Sequence, residues 1–173
     1  NGYVRGVVKD KLVGANIDLP FPSVGATENI IMASSLARGT TLIKNAAQEP
    51  EIVDLSKALN AMGAKISFPS NDCIEIEGVN SLNEAEHIIM FDRIVAGTYI
   101  LAGVMLNKKF TINNIDPKIL ESLTDVLIRM KANLNINNNS ITTMPSLEII
   151  GTNIETAPYP GFPTDLQAQI MAL

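Results

Sequence analysis

Ser23-Val24-Gly25-Ala26-Thr27-Glu28-Asn29-Ile30-Ile31-Met32-Ala33-Ser34-Ser35-Leu36-Ala37-Arg38-Gly39 is the stretch on which the fold turns. A turn of small residues leads into an apolar segment too continuous for an ordinary surface helix, and a glycine closes it. Gly25 reads as an N-cap with Glu28 at N3, the helix runs to Ala37, and Gly39 suits the left-handed position that ends it. So little polar face is left that the helix is expected to be buried all round. Ile31-Met32-Ala33 returns 139 residues later as Ile170-Met171-Ala172. Between them lies Gly97-Thr98-Tyr99-Ile100-Leu101-Ala102-Gly103, another segment of small and apolar residues. A repeat of this kind sets the frame for every other assignment.

Upstream, residues 3–7 and 15–19 read as short strands joined by a turn at Gly14, and Pro20 and Pro22 end the second. Downstream, 40–45 reads as a strand. Glu49-Pro50-Glu51 opens a surface helix, with Pro preset for N1 and Ile52, Leu55, Leu59 and Met62 at helical spacing. Gly63 ends it, and 64–68 with 73–79 form a hairpin. The order then recurs: a buried helix over 93–106, a strand over 109–114, a surface helix from Asp116-Pro117, and a hairpin from 132–137 and 140–144. Pro50 to Pro117 is 67 residues and Met62 to Met130 is 68. A third copy starts at Leu147 and reaches its first helix after Pro163-Thr164-Asp165. The unit is therefore βαβαββ, with about two and a half copies. The pattern breaks near 84–92, the expected boundary between 1–90 and 91–173. Buried helices need partners, so Ile100, Leu101 and Ile170 are expected to show exposed faces that favour self-association.

Apolar residues make up 46% of the 173 and charged residues 18%, which describes a folded aliphatic core without Trp. The net charge of −5, with no basic run interleaved with aromatics, argues against nucleic acid as partner. An anionic ligand would depend on helix N-termini and local cations. One Cys excludes an internal disulfide framework and suits a reducing compartment, and with one His it supplies no zinc site. No apolar run is long enough for a membrane span. The chain begins without Met and ends inside a helix, as a piece cut from a longer protein would.

Two stretches offer chemistry. Ser23-Val24-Gly25 is either an anion cradle of backbone N–H groups or a plain helix cap, and the local pattern by itself favours the cap. In Pro160-Gly161-Phe162-Pro163-Thr164-Asp165-Leu166-Gln167, Thr164 and Gln167 fit a capping box with Asp165 at N1. Equally, two prolines and a glycine stiffen the approach to a carboxylate that can serve as a general base. Asp92-Arg93 reads as an ion pair at the boundary. Cys73, set among Asp72 and Glu75, does not read as a nucleophile, because neighbouring carboxylates disfavour a thiolate.

Four blocks in one order carry more than any of these alone: Ser23–Asn29, Asn45-Ala46-Ala47-Gln48-Glu49-Pro50-Glu51-Ile52, Asp92-Arg93-Ile94 with Gly97-Thr98, and Tyr159–Gln169. Together they closely resemble the UDP-N-acetylglucosamine enolpyruvyl transferases, over essentially the whole chain. The resemblance implies two lobes of the inside-out α/β barrel type with three βαβαββ units each. On that scheme 1–90 is the end of one lobe and 91–173 the start of the other. It also implies transfer of enolpyruvyl from phosphoenolpyruvate to the sugar 3′-hydroxyl with release of phosphate, the first committed step of bacterial peptidoglycan synthesis. The reaction would be cytoplasmic, without metal or cofactor, and would need the remainder of the parent chain.

By the same resemblance Asp165 is the catalytic base. Pro22, Ser23, Val24, Gly25 and Thr164 bind substrate, and Glu49, Glu51 and Arg93 lie one layer behind them. The chain departs from the family at Phe91 and Val95, where Pro and Glu are usual, and at Phe21-Pro22, where some members carry Lys. Cys73 does not match the family's loop cysteine. The alternatives are the sister transferase acting on shikimate 3-phosphate and a non-catalytic nucleotide-sugar-binding relative.

Overall fold

The computed structural model describes residues 2, 3 and 5–173, and the chain divides into two compact units, Asn1–Ile89 and Met90–Leu173. The first unit contains β1 (Asn16–Asp18), α1 (Val24–Ser34), β2 (Thr40–Lys44), α2 (Pro50–Ala61), β3 (Lys65–Ser70) and β4 (Cys73–Glu77). Its sheet has the order β1-β2-β4-β3, with β1 parallel to β2 and the other pairs antiparallel. The second unit contains α3 (Arg93–Met105), β5 (Phe110–Asn113), a 3₁₀ turn (Pro117–Leu120) running into α4 (Glu121–Arg129), β6 (Asn133–Asn137) and β7 (Ser140–Met144). A further 3₁₀ turn (Thr164–Leu166) then leads into α5 (Gln167–Ala172). Its sheet, β5-β7-β6, is wholly antiparallel.

The repeat read from sequence is present in the backbone. Ile43 faces Ile74 across β2 and β4, and Ile112 faces Ile141 across β5 and β7. Left-handed residues recur at matching places: Gly39 and Asn107 after the first helix of each unit, Asn45 and Asn114 after the strand, Gly63 and Lys131 after the second helix. Glycine and asparagine take that conformation at little cost, whereas a lysine pays a steric penalty for its β-carbon. The first strand has no counterpart among the described residues of the second unit. The expected strand over 3–7 is also absent from the described residues there, and Val4 lies outside them.

The amphipathic helices behave as their spacing predicts. Ile52 and Leu59 of α2, and Leu123, Val126 and Leu127 of α4, are buried. The more apolar helices do not. α1 buries Thr27, Ile31 and Ser34 but leaves Met32 exposed, as is Leu36 just past its end, while α3 leaves Val95, Tyr99 and Met105 exposed. Within each unit a sheet covers one side of such a helix only. Ile100, Leu101 and Ile170, expected to be bare, are instead in the core. Hydropathy along the chain identified apolar helices but not which of their faces the sheet takes.

Lys131 is exposed, and its 3.9 Å contact with Glu148 is a surface pair worth little. Lys131→Gly is therefore expected to stabilise the fold by about 1 kcal/mol, measured by urea denaturation. A loss of stability would show that the left-handed position carries no strain.

Candidate functional site

In the first unit the site residues form the mouth of α1. Ser23, not Gly25, is the N-cap: its extended backbone (φ −88°, ψ 119°) turns the hydroxyl to accept from the Ala26 amide at 3.3 Å. A serine oxygen supplies the acceptor that glycine lacks, which is why the cap falls two residues earlier than the sequence suggested. Pro22, Ser23 and Val24 are half-buried, whereas Gly25 is exposed and a β-carbon built on it meets nothing within 4 Å.

Thr27, wholly buried, holds this mouth in place. Its hydroxyl donates to the Ser23 carbonyl at 2.8 Å and accepts from the Ala47 amide at 3.1 Å. Asn45 adds a second tie, its side-chain amide donating to the Leu19 carbonyl at 2.8 Å. The α1 mouth and the approach to α2 are thus one hydrogen-bonded structure. Neither Thr27 nor Asn45 was singled out from sequence, although a threonine four residues after a cap, in an apolar helix, is a usable signal. Glu49 is buried at the start of α2 and Glu51 is half-buried in its first turn. Proline opens the helix as expected.

In the second unit Asp165 is the middle residue of the 3₁₀ turn, with Thr164 beside it, and both are exposed. Flanking them, Phe162 and Leu166 are buried at 4% and 1% exposure, so the acidic residue stands on an anchored turn. The Ala157 amide donates to the Phe162 carbonyl at 2.9 Å, the Gly161 amide to the Pro158 carbonyl at 2.7 Å, and the Tyr159–Pro160 peptide is cis. The expected capping box does not form. Pro163 occupies the cap position, and Thr164 lies inside the turn, so no side chain caps it.

The boundary pair also differs from expectation. Asp92 spends its carboxylate on capping α3, accepting from the amides of Ile94 at 2.8 Å and Val95 at 3.0 Å. Arg93 is buried, with its guanidinium 5.9 Å from the centre of the Tyr159 ring, near the start of the Asp165 loop. Cys73 is a half-buried free thiol in β4. No group of acidic, His or Cys side chains suited to a metal ion occurs among the described residues, and none of their helices is long and apolar enough to cross a membrane.

Residues 3–173 match the family described as EPSP synthase (3-phosphoshikimate 1-carboxyvinyltransferase). The chain belongs to this enolpyruvyl transferase family. Among curated relatives, a UDP-N-acetylglucosamine 1-carboxyvinyltransferase from Pelagibacter ubique is 45% identical over 172 residues, covering 99% of this chain and 41% of its own length. One of the same name from Prochlorococcus marinus is 50% identical over 165 residues, covering 95% of this chain and 36% of its own length. The chain thus spans about two fifths of the curated relatives it matches. The fold is that of solved enolpyruvyl transferases. NikO of Streptomyces tendae superposes with a TM-score of 0.82 at 24% identity, over 92% of this chain and 41% of that one. EPSP synthase of Acinetobacter baumannii gives 0.59 at 17% identity, over 84% and 34%. The expected α/β enolpyruvyl transferase-like fold is borne out.

Replacing the Asp92 carboxylate removes the acceptor for two helix-end amides. Asp92→Ala is expected to cost about 1–2 kcal/mol in chemical denaturation. A change below a few tenths would mean that the α3 cap contributes nothing to the fold.

Proposed function

We propose that this chain is part of an enzyme that transfers enolpyruvyl from phosphoenolpyruvate to the 3′-hydroxyl of UDP-N-acetylglucosamine, releasing phosphate. The observation that carries this reading is identity of 45–50% along nearly the whole chain with relatives bearing that name. The hydroxyl oxygen bonds to C2 of phosphoenolpyruvate while C3 takes up a proton. The C2–O bond to phosphate then breaks as C3 gives a proton back, leaving the vinyl ether. Asp165 receives the proton of the attacking hydroxyl, a role that fits an exposed carboxylate on a turn pinned at both flanks. Thr164, exposed beside it, binds the substrate.

Pro22, Ser23, Val24 and Gly25 take the nucleotide part. Free amides at a helix start suit a diphosphate, and an exposed glycine leaves the backbone open to it. Glu49 and Glu51, at the start of α2, support these residues from behind, and Arg93 supports the Asp165 loop within its own unit. The step belongs to peptidoglycan precursor synthesis in the cytoplasm, a compartment that a free thiol suits, and the remainder of the parent chain completes the site. One observation favours a second reading: the matched family is described by its shikimate enzyme, which makes shikimate 3-phosphate the competing acceptor.

Phosphate release by the full-length protein separates the two. Release is expected with phosphoenolpyruvate and UDP-N-acetylglucosamine together and with neither alone, and Asp165→Ala should lower kcat by about 10²–10⁴-fold. Release with shikimate 3-phosphate instead would transfer the assignment to the sister reaction. No release, with nucleotide-sugar binding intact, would leave a binding protein. Gly25→Ala should raise KM for the nucleotide sugar without lowering stability, because its β-carbon meets only open space. An unchanged KM would remove Gly25 from the binding surface.

A further inference from the structure

Helix α3 touches the Asp165 loop at three successive places. At its start, the Arg93 guanidinium lies against the Tyr159 ring, 5.9 Å from its centre. One turn later Gly97 faces Leu166 so closely that a β-carbon would come within 2.7 Å of Leu166 Cδ1 and 3.2 Å of Leu123 Cδ2. Next to it the Thr98 hydroxyl accepts from Gln169 Nε2 at 2.9 Å. These contacts bracket the acidic residue: Tyr159 precedes it, Leu166 follows it directly, and Gln169 lies one turn of α5 beyond.

We propose that Gly97 and Thr98, with Arg93 behind them, are positioning residues that set where the Asp165 carboxylate stands. The inference rests on Asp165 as the base, and it adds that α3 supplies the register. Asp165 itself is exposed, and its turn is only three residues long. A short turn has few internal bonds to fix its direction, so its orientation follows from Leu166 and Gln169, its neighbours on the buried side. Leu166 is 1% exposed and packs against α3. A β-carbon at residue 97 therefore pushes the tip of the Leu166 side chain aside, and whatever part of that shift the leucine's rotamers do not absorb passes to the turn that carries the carboxylate. Removing the Thr98 hydroxyl frees Gln169 without changing the volume at residue 98. Reacting groups must lie within a few tenths of an ångström of the productive geometry, and an error of about 1 Å costs on the order of 10²-fold in rate.

The test uses the full-length protein with Gly97→Ala, Thr98→Val and Thr98→Ser. A positioning role predicts that Thr98→Val lowers kcat about 10-fold or more while KM for UDP-N-acetylglucosamine changes less than about threefold. Thr98→Ser, which keeps the hydroxyl, should restore most of the rate. Amide hydrogen exchange over 164–167 should quicken in Thr98→Val and not in Thr98→Ser. Gly97→Ala should lower kcat at least as far where it folds, and the threonine pair decides the question where it does not. A lowered melting temperature with kcat unchanged, or equal rates in the valine and serine variants, would overturn the proposal. If the wild-type protein releases no phosphate with this substrate pair, the acceptor assignment is what fails. Exchange then still decides the positioning: quickening confined to the valine variant supports it, and unchanged protection refutes it.

Discussion

Close approach to α3 is the constraint on which the second unit depends. Gly97 and Gly103 present bare backbone on the buried side of that helix, where Leu166 and the Thr143 hydroxyl fill the space that β-carbons would occupy. Thr143 in turn donates to the Lys108 carbonyl at 2.9 Å, so the end of α3 is locked to β7. Ile100, Leu101 and Val104 complete the packed side and join Leu123, Leu127 and Ile141 in one aliphatic core. Aliphatic side chains reach native packing density only when their neighbours come this near. The glycines thereby fix the distance from helix to sheet and the seat of the Asp165 turn.

The first unit solves the same problem with hydrogen bonds. Thr27 is a polar residue on the buried side of α1, and both of its contacts are to backbone groups, one at the cap of its own helix and one on the approach to α2. Buried polar groups are tolerated when paired, and this pairing makes the helix mouth rigid while Gly25 stays open. A net charge of −5 gives no long-range attraction for an anionic ligand. Local donors at helix starts are the means by which an acidic chain can hold a phosphate, because their effect is confined to short range.

Much of this was legible in the sequence, for physical reasons. Proline at N1 of α2, the apolar stripes of α2 and α4, and the hairpins all follow local periodicity, and they appear where periodicity puts them. Caps were less legible. Whether Ser23 or Gly25, Pro163 or Thr164, begins a turn depends on one backbone angle, which neighbouring residues do not specify. Faces were less legible still: Ile100 and Tyr99 are equally apolar by eye, yet one is fully buried and the other half in solvent. That distinction is made by the single sheet of each unit. The role proposed for Asp165 rests on four blocks in one order, since its local pattern fits a cap as well as a base.

On the proposed reading the α1 mouth receives a nucleotide sugar, and amide hydrogen exchange over 22–27 of the full-length protein, with UDP-N-acetylglucosamine and, separately, shikimate 3-phosphate, is the measurement that decides it. Slower exchange with the nucleotide sugar alone is the predicted result. Unchanged exchange with the nucleotide sugar, or protection by shikimate 3-phosphate in its place, would contradict it.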